Sequence, residues 1–232
     1  MRVSISLGGS LLTGRGSGPV ELDPGVFQRY ARVLRSLHQR GHELVVVCGG
    51  GRPARYFIAV GRELGAPPRL LDLLGVKATH VNALLLMAAL GEDADQSRVY
   101  QRASDFDRAP EGKILVGGGF RPGSSTDYRA AIFAGRVGAQ LVVNATDVDG
   151  VYTRNPKIHG DAVKLERLTY GELEDIVREN THQYPGEYGL FDLKGVRRLA
   201  KLGIPLVVVD GRDPQEIARA VEGGHRGSTV TP

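Results

Sequence analysis

Three glycine clusters, each at the end of a short apolar run, are the places where this sequence could do chemistry. Leu7 leads into Gly8-Gly9-Ser10, Cys48 into Gly49-Gly50-Gly51, and Val116 into Gly117-Gly118-Gly119. The second and third lead on into helix-like sequence. A strand–glycine–helix junction offers bare backbone N–H groups and the positive end of a helix, a combination that suits phosphate. On this reading glycine is required because a side chain would hold phosphate oxygens away from those N–H groups. One such cluster is adequately explained as a tight turn. Three in succession point to a polyphosphate, or to two phosphate groups held together. No Gly-x-Gly-x-x-Gly follows the first apolar run, which argues against a dinucleotide site. Gly118 to Gly123 followed by Ser124-Ser125 nearly spells a Walker A loop, but the lysine is absent.

The clusters have to be positioned by something, and the sequence alternates strand and helix signals throughout. Runs rich in Val, Ile and Leu recur at 2–7, 43–48, 113–117, 140–145 and 204–209. Helix-like stretches lie between them at about 24–40, 52–64, 75–90, 126–138, 169–180, 192–202 and 213–222. Asp23-Pro24 places an N-cap before a proline at the first helical position, and Asp213-Pro214 repeats the device. Gly41, Gly65, Gly91, Gly138 and Gly203 sit where helices should stop. This alternation predicts an α/β fold with an open, mostly parallel sheet covered on both faces, a three-layer α-β-α sandwich. In such a sheet the carboxyl ends of the strands converge on the ligand crevice, where all three glycine clusters fall. The segment near 180–190, with Pro185-Gly186, reads as a long loop, and there is no fixed-period repeat.

Composition narrows the class. A chain of 232 residues can bury a full core, and 24% charged residues are ordinary for a globular protein. No apolar run approaches the roughly 18 residues of a membrane span, and the N-terminus has no signal-peptide pattern, so a cytoplasmic location and no membrane partner are expected. The lone Cys48 excludes an intrachain disulfide and reads as a small buried hydrophobe. The net charge of +4 suits an anionic small substrate. Without a dense basic block or an aromatic platform, nucleic acid is not an expected partner.

These residues resemble the amino acid kinase family. Leu7-Gly8-Gly9-Ser10, Gly49-Gly50-Gly51 and Thr146-Asp147-Val148-Asp149-Gly150-Val151-Tyr152 occur in its order and rough spacing. Three further segments are similar to the UMP kinase branch in its archaeal form. They are Asp72-Leu73-Leu74-Gly75 with Thr79 and Asn82-Ala83, the loop Gly118 through Asp127, and the terminal Gly227-Ser228-Thr229-Val230. The resemblance covers the whole chain. It implies phosphoryl transfer from ATP to UMP within one domain, with an acceptor lobe over about 1–138 and an ATP lobe over about 139–232.

Position by position, the resemblance implies that Gly9, Ser10, Gly51, Arg55, Thr146, Asp147, Tyr152 and Asn155 bind ATP. Gly50 would touch the UMP phosphate and Asp72 its ribose, while Phe120, Arg121, Pro122, Gly123, Ser124, Ser125 and Thr126 wrap the acceptor. Asp127, Arg55 and Ser10 would carry catalysis, and Asp192 matches a further polar position of the ATP lobe. Magnesium would arrive on ATP rather than in a protein cage, and the resemblance implies a homo-oligomer, a hexamer made of dimers. The physics is compatible: backbone N–H groups of 8–10 and 49–51, with Arg55, could clamp two anions in line. Simpler roles stay open. Asp72 could cap the helix after it, Asp127 could be a favourable acid in a first turn, and Asp147-Val148-Asp149-Gly150 could be a plain turn.

Four positions depart from the family pattern. Ser6 stands where many members have lysine, His80 where arginine is frequent, Asn155 where aspartate is frequent, and Phe120 where other branches have threonine. Ser6 removes a cation expected beside the transferred group. Two other activities are compatible with the glycine turns: another kinase of the family with a small acid or phosphate acceptor, and a non-catalytic nucleotide-binding or storage protein.

Overall fold

The computed structural model describes residues 1–13, 21–121, 123–156, 158–180 and 191–232. The elements run β1 (Arg2–Leu7), α1 (Gly9–Leu12), α2 (Pro24–Gln39), β2 (Glu43–Cys48), α3 (Gly51–Glu63), α4 (Pro68–Leu90) and β3 (Leu115–Gly117). They continue through α5 (Thr126–Val137), β4 (Leu141–Thr146), β5 (Val151–Tyr152), β6 (Lys164–Leu165), β7 (Arg167–Thr169) and α6 (Tyr170–Asn180). The chain ends with α7 (Leu193–Leu202), β8 (Leu206–Asp210), α8 (Gln215–Glu222) and β9 (Ser228–Thr231).

Seven strands form one sheet in the order β3-β2-β1-β4-β8-β9-β7, and β5 pairs with β6 in a separate two-stranded ribbon. Within the sheet only the β8–β9 pairing is antiparallel. Alternation along the strands builds the two faces. Leu44, Val46 and Cys48 of β2 join Val3, Ile5 and Leu7 of β1 in a core under α2, α4 and α8. The intervening Val45 and Val47 face α5 on the other side, with Tyr100 and Phe133. Val142, Leu206 and Val208 meet α6 and α7 there. This is the expected open, mostly parallel sheet between two helical layers. Cys48 lies in the first core, and burial pushes its thiol up to about 12, so it is an inert hydrophobe.

Several sequence expectations need correction. The apolar run 113–117 gives a strand only from Leu115, although Ile114 bridges to Ala94. The helix expected from 75 begins at Pro68, with Pro67 as its N-cap. The last helix begins at Gln215 with Pro214 at the cap, yet Asp213 still accepts the Gln215 N–H at 3.0 Å. The third glycine cluster does not enter a helix directly, since α5 starts only at Thr126. The helical stretch Pro68–Asp93 is long and apolar enough, by length and composition alone, to cross a membrane. Arg69, Asp72 and Lys77 interrupt it, which is why no unbroken run stands out. The expected 180–190 loop lies outside the described residues, apart from the end of α6.

Candidate functional site

Parallel pairing of β1 with β2, Leu7 opposite Cys48, brings the first two glycine turns out of the sheet side by side. Not all of their N–H groups remain for a ligand. The Gly8 N–H donates to the Ala145 carbonyl at 2.9 Å and the Gly49 N–H to the Leu7 carbonyl at 2.9 Å, extending the sheet ladder. Gly51 opens α3, where the helix itself offers no acceptor to the first N–H groups. The reason for glycine also differs from the expected one. A Cβ on Gly9 would lie 2.1 Å from the Gly51 nitrogen, and one on Gly49 would lie 2.4 Å from the Gly9 nitrogen. The turns pack backbone against backbone, so no side chain fits between them whether or not phosphate is bound.

Helix α4 lies behind these turns and binds them by side chains. Asn82 Nδ2 donates to the Gly49 carbonyl at 2.7 Å and to the Gly50 carbonyl at 3.2 Å. Thr79 Oγ1 accepts the Gly119 N–H at 2.7 Å, and His80 Nε2 lies 2.6 Å from the Gly119 carbonyl. Burial holds the His80 imidazole below its ordinary range, so the ring is neutral with Nε2 as the donor. Sequence reasoning noted these residues as a resemblance but gave them no role, because contacts 32 to 40 residues apart leave no local signal.

A cleft of about 440 Å³ opens between α3, α4 and the loop before α5. Gly50, Gly51, Arg55 and Asp72 line one side; Arg121 and Gly123 through Thr126 line the other. The residues expected to hold the acceptor therefore converge, with two exceptions. Pro122 lies outside the described residues. The Phe120 ring does not line the cleft but lies between two guanidinium groups, 5.2 Å from Arg102 and 4.9 Å from Arg129. Asp72 is inside α4 rather than at its cap, which removes the capping alternative. Gly51 and Arg55, expected on the ATP side, stand in this cleft with Gly50.

Asp127 lies beside the junction of the turns. The Ser6 hydroxyl donates to Asp127 Oδ1 at 2.6 Å across the β1–α5 interface. Burial, with repulsion from Asp192, pushes the Asp127 carboxyl up to about 7, against the Ser6 hydrogen bond that opposes the shift. Ser6 thus supplies a neutral donor at the position where the resemblance implies a cation. Asp192 is more than a polar position of the ATP lobe. It caps α7 through the Gly195 N–H at 2.9 Å, accepts the Tyr128 N–H at 3.0 Å, and takes the Ser125 hydroxyl. It therefore ties α7 to the start of α5 and to the acceptor loop. Nearby, Lys194 Nζ is 3.5 Å from the Gly123 carbonyl.

A second cleft, about 580 Å³, is lined by Ser10, Asp147, Arg29 and Arg212 among others. Arg212, which sequence reasoning missed, is held by Asp210 through bonds of 2.8 and 2.7 Å. The remaining residues expected to hold ATP do not line this cleft. Thr146 is buried at the end of β4, its carbonyl accepting the Gly211 N–H. Tyr152 donates its hydroxyl to Asp149 at 2.8 Å, and Asn155 is buried with its carbonyl taken by Ile158 and His159. The Asp147–Gly150 stretch is a bend that joins β4 to β5, strands of different sheets, and not the hairpin turn that Asp-Gly favours. Among the described residues, no group of three or more His, Cys, Asp or Glu is placed to cage a metal.

Residues 1–210 match the amino acid kinase family. A uridylate kinase of Hyperthermus butylicus is 41% identical over 208 residues, covering 90% of this chain and 91% of that protein. One from Methanothermobacter thermautotrophicus is 38% identical over 232 residues, the full length of both. The crystal structure of a uridylate kinase from Archaeoglobus fulgidus superposes with a TM-score of 0.85 at 33% identity, covering all of both chains.

Proposed function

Because the chain belongs to the amino acid kinase family, we propose from its site that it is a UMP kinase, moving the γ-phosphoryl group of ATP to UMP to give UDP and ADP. One observation carries the reading. One cleft is lined by Gly50, Gly51, Arg55 and Asp72 and the other by Ser10 and Asp147, and Gly51 of the first packs backbone to backbone on Gly9, the chain neighbour of Ser10 in the second. Two phosphate groups entering from opposite sides would meet at that contact, as direct in-line transfer requires. The likeness, over nearly all of the chain, to uridylate kinases of Hyperthermus butylicus, Methanothermobacter thermautotrophicus and Archaeoglobus fulgidus supports UMP as the acceptor.

In this reading the Gly50 and Gly51 N–H groups and Arg55 hold the acceptor phosphate, and Asp72 receives the ribose hydroxyls. The ATP triphosphate runs past Ser10 toward Asp147, with the γ-phosphate at the glycine contact. Magnesium, carried by ATP, would neutralise charge between its phosphates when bound; Asp147 and Asp23 are carboxylates lining the cleft it would enter. Asp127, with Ser6 and Asp192, organises the junction. The division into an acceptor lobe (about 1–138) and an ATP lobe (about 139–232) is one of function, since the larger core joins Val3 and Leu44 to Val143 and Val207 across that boundary. We also infer a cytoplasmic homo-oligomer, a hexamer assembled from three dimers, with α3 and α4 at an interface. A coupled assay with ATP and each nucleoside monophosphate tests the function: UMP should be preferred over CMP, AMP and GMP. AMP turning over as well as UMP would refute the assignment.

A further inference from the structure

We infer that Asn82 is the positioning residue that aims the acceptor-phosphate turn, by fixing the two peptide planes on either side of Gly50. In a trans peptide the carbonyl and the following N–H point in opposite directions. Asn82 Nδ2 holds the Gly49 carbonyl at 2.7 Å, which turns the Gly50 N–H away from α4. It holds the Gly50 carbonyl at 3.2 Å, which does the same for the Gly51 N–H. Gly50 and Gly51 line the acceptor cleft. One amide group therefore presents two N–H donors and withdraws two carbonyl oxygens that would repel an anion. Helix α3 shares one of these planes, since the Gly50 carbonyl also accepts the Ala54 N–H at 3.3 Å; the Gly49 carbonyl is oriented by Asn82, in a run of glycines whose peptide planes otherwise rotate at little cost.

A second observation separates this role from plain packing. Asn82 is 1% exposed, and its Oδ1 has no hydrogen-bond partner. A buried unsatisfied acceptor is destabilising, and an apolar side chain would avoid it. Only the donor half of the amide is used, and it is used entirely on the turn. The same helix holds the third cluster, with Thr79 on the Gly119 N–H and His80 on its carbonyl. Asn82 does not have to touch the substrate for this; it acts through Gly50 and Gly51.

The inference rests on the proposed function, in which those N–H groups meet the UMP phosphate. Calorimetric titration with UMP and with uridine tests the two separately, because uridine keeps the base and ribose but lacks the phosphate. If the unaltered protein binds UMP no tighter than uridine, the reading of the cleft itself fails. Once that difference is established, Asn82→Ala and Asn82→Asp are expected to weaken UMP 10- to 100-fold, the scale of losing a hydrogen bond or two to a charged group. Uridine affinity should stay within twofold, which also certifies the variant as folded. Asn82→Asp should be the poorer of the two, since its carboxylate would face two carbonyl oxygens and drive the planes round. Either variant suffices if the other does not fold. Unchanged UMP binding, an equal loss for UMP and uridine, or failure of both variants to fold would overturn the proposal.

Discussion

Arg55 stands one turn into α3, in the cleft with Gly50 and Asp72, and Ser6 offers no charge to share its task. A planar guanidinium can bridge two phosphate oxygens at once, which a lysine cannot. Arg55→Ala is therefore expected to lower turnover by roughly 10²–10³, the scale of losing one preorganised donor to developing charge. Arg55→Lys should recover only part of that, and Ser6→Lys in the Arg55→Ala background should restore activity. Steady-state rates decide between Arg55 and Lys194: near-normal turnover in Arg55→Ala with none in Lys194→Ala would move the charge to α7. Asp127 yields a prediction of another kind. Its carboxyl is pushed up to about 7, so on raising the pH from 4 the unfolded chain releases this proton first and the fold loses stability until about pH 7. Asn cannot titrate, and Ser6 can still donate to it. Asp127→Asn should then melt higher than the parent, by an amount near zero at pH 4, growing to pH 7 and constant above, while turnover falls. A gain independent of pH would mean that the carboxyl is not the cause.

At the scale of elements, the decisive feature is that two turns share one space. A Cβ on Gly9 would fall 2.1 Å from the Gly51 nitrogen, a clash with backbone that neither strand can relieve without leaving its ladder. Gly9→Ala is expected to destabilise the protein by about 3 kcal/mol or more. Gly41→Ala, at a positive φ of 84° but with open space around it, should cost about 1–2 kcal/mol. Denaturant melts of both variants give the comparison, and equal losses would show that conformation rather than contact makes Gly9 necessary. The glycines themselves were plain in the sequence, as were β1, β2, β4 and β8, because long apolar runs must be buried on both faces. What was hidden depends on partners far along the chain. β5, β6 and β7 have two or three residues each and exist through contacts such as the Ser228 hydroxyl with Leu165 and Val151. The early start of α4 was missed because its apolar residues recur on two faces, which blurs the helical period. Ser6 with Asp127, 121 residues apart, and Asn82 with Gly49 are pairs that no spacing rule connects.

For the whole molecule, the two-faced α4 poses a question of partners. Its inner face, with Val76, Asn82, Ala83, Leu86 and Leu90, is buried in this protomer. Leu70 (45%), Leu73 (40%), Val81 (50%) and Leu84 (52%) form an outer stripe that stays exposed. Tyr56, Phe57 and Val60 of the adjoining α3 are exposed as well. Scattered exposed leucines need no explanation, but a stripe along one helix continued by aromatics on the next is the surface at which the proposed oligomer would be joined. A membrane would demand an apolar inner face of no particular shape, yet that face is fitted to β3 and α2 of the same chain, so a second copy is the better occupant. Light scattering at micromolar concentration should give a multiple of 24.9 kDa. Val81→Glu with Leu84→Glu changes two side chains that are half-exposed in the protomer, and in a true monomer the effect would stay within about 0.5 kcal/mol per site. In an oligomer the same pair buries two unpaired charges, so the assembly should fall apart and the melting temperature should become dependent on concentration. Asp72 immediately precedes Leu73, so loosening this face should also raise the Michaelis constant for UMP more than that for ATP. A chain that scatters as a monomer before any substitution would leave the stripe unexplained and remove the proposed interface.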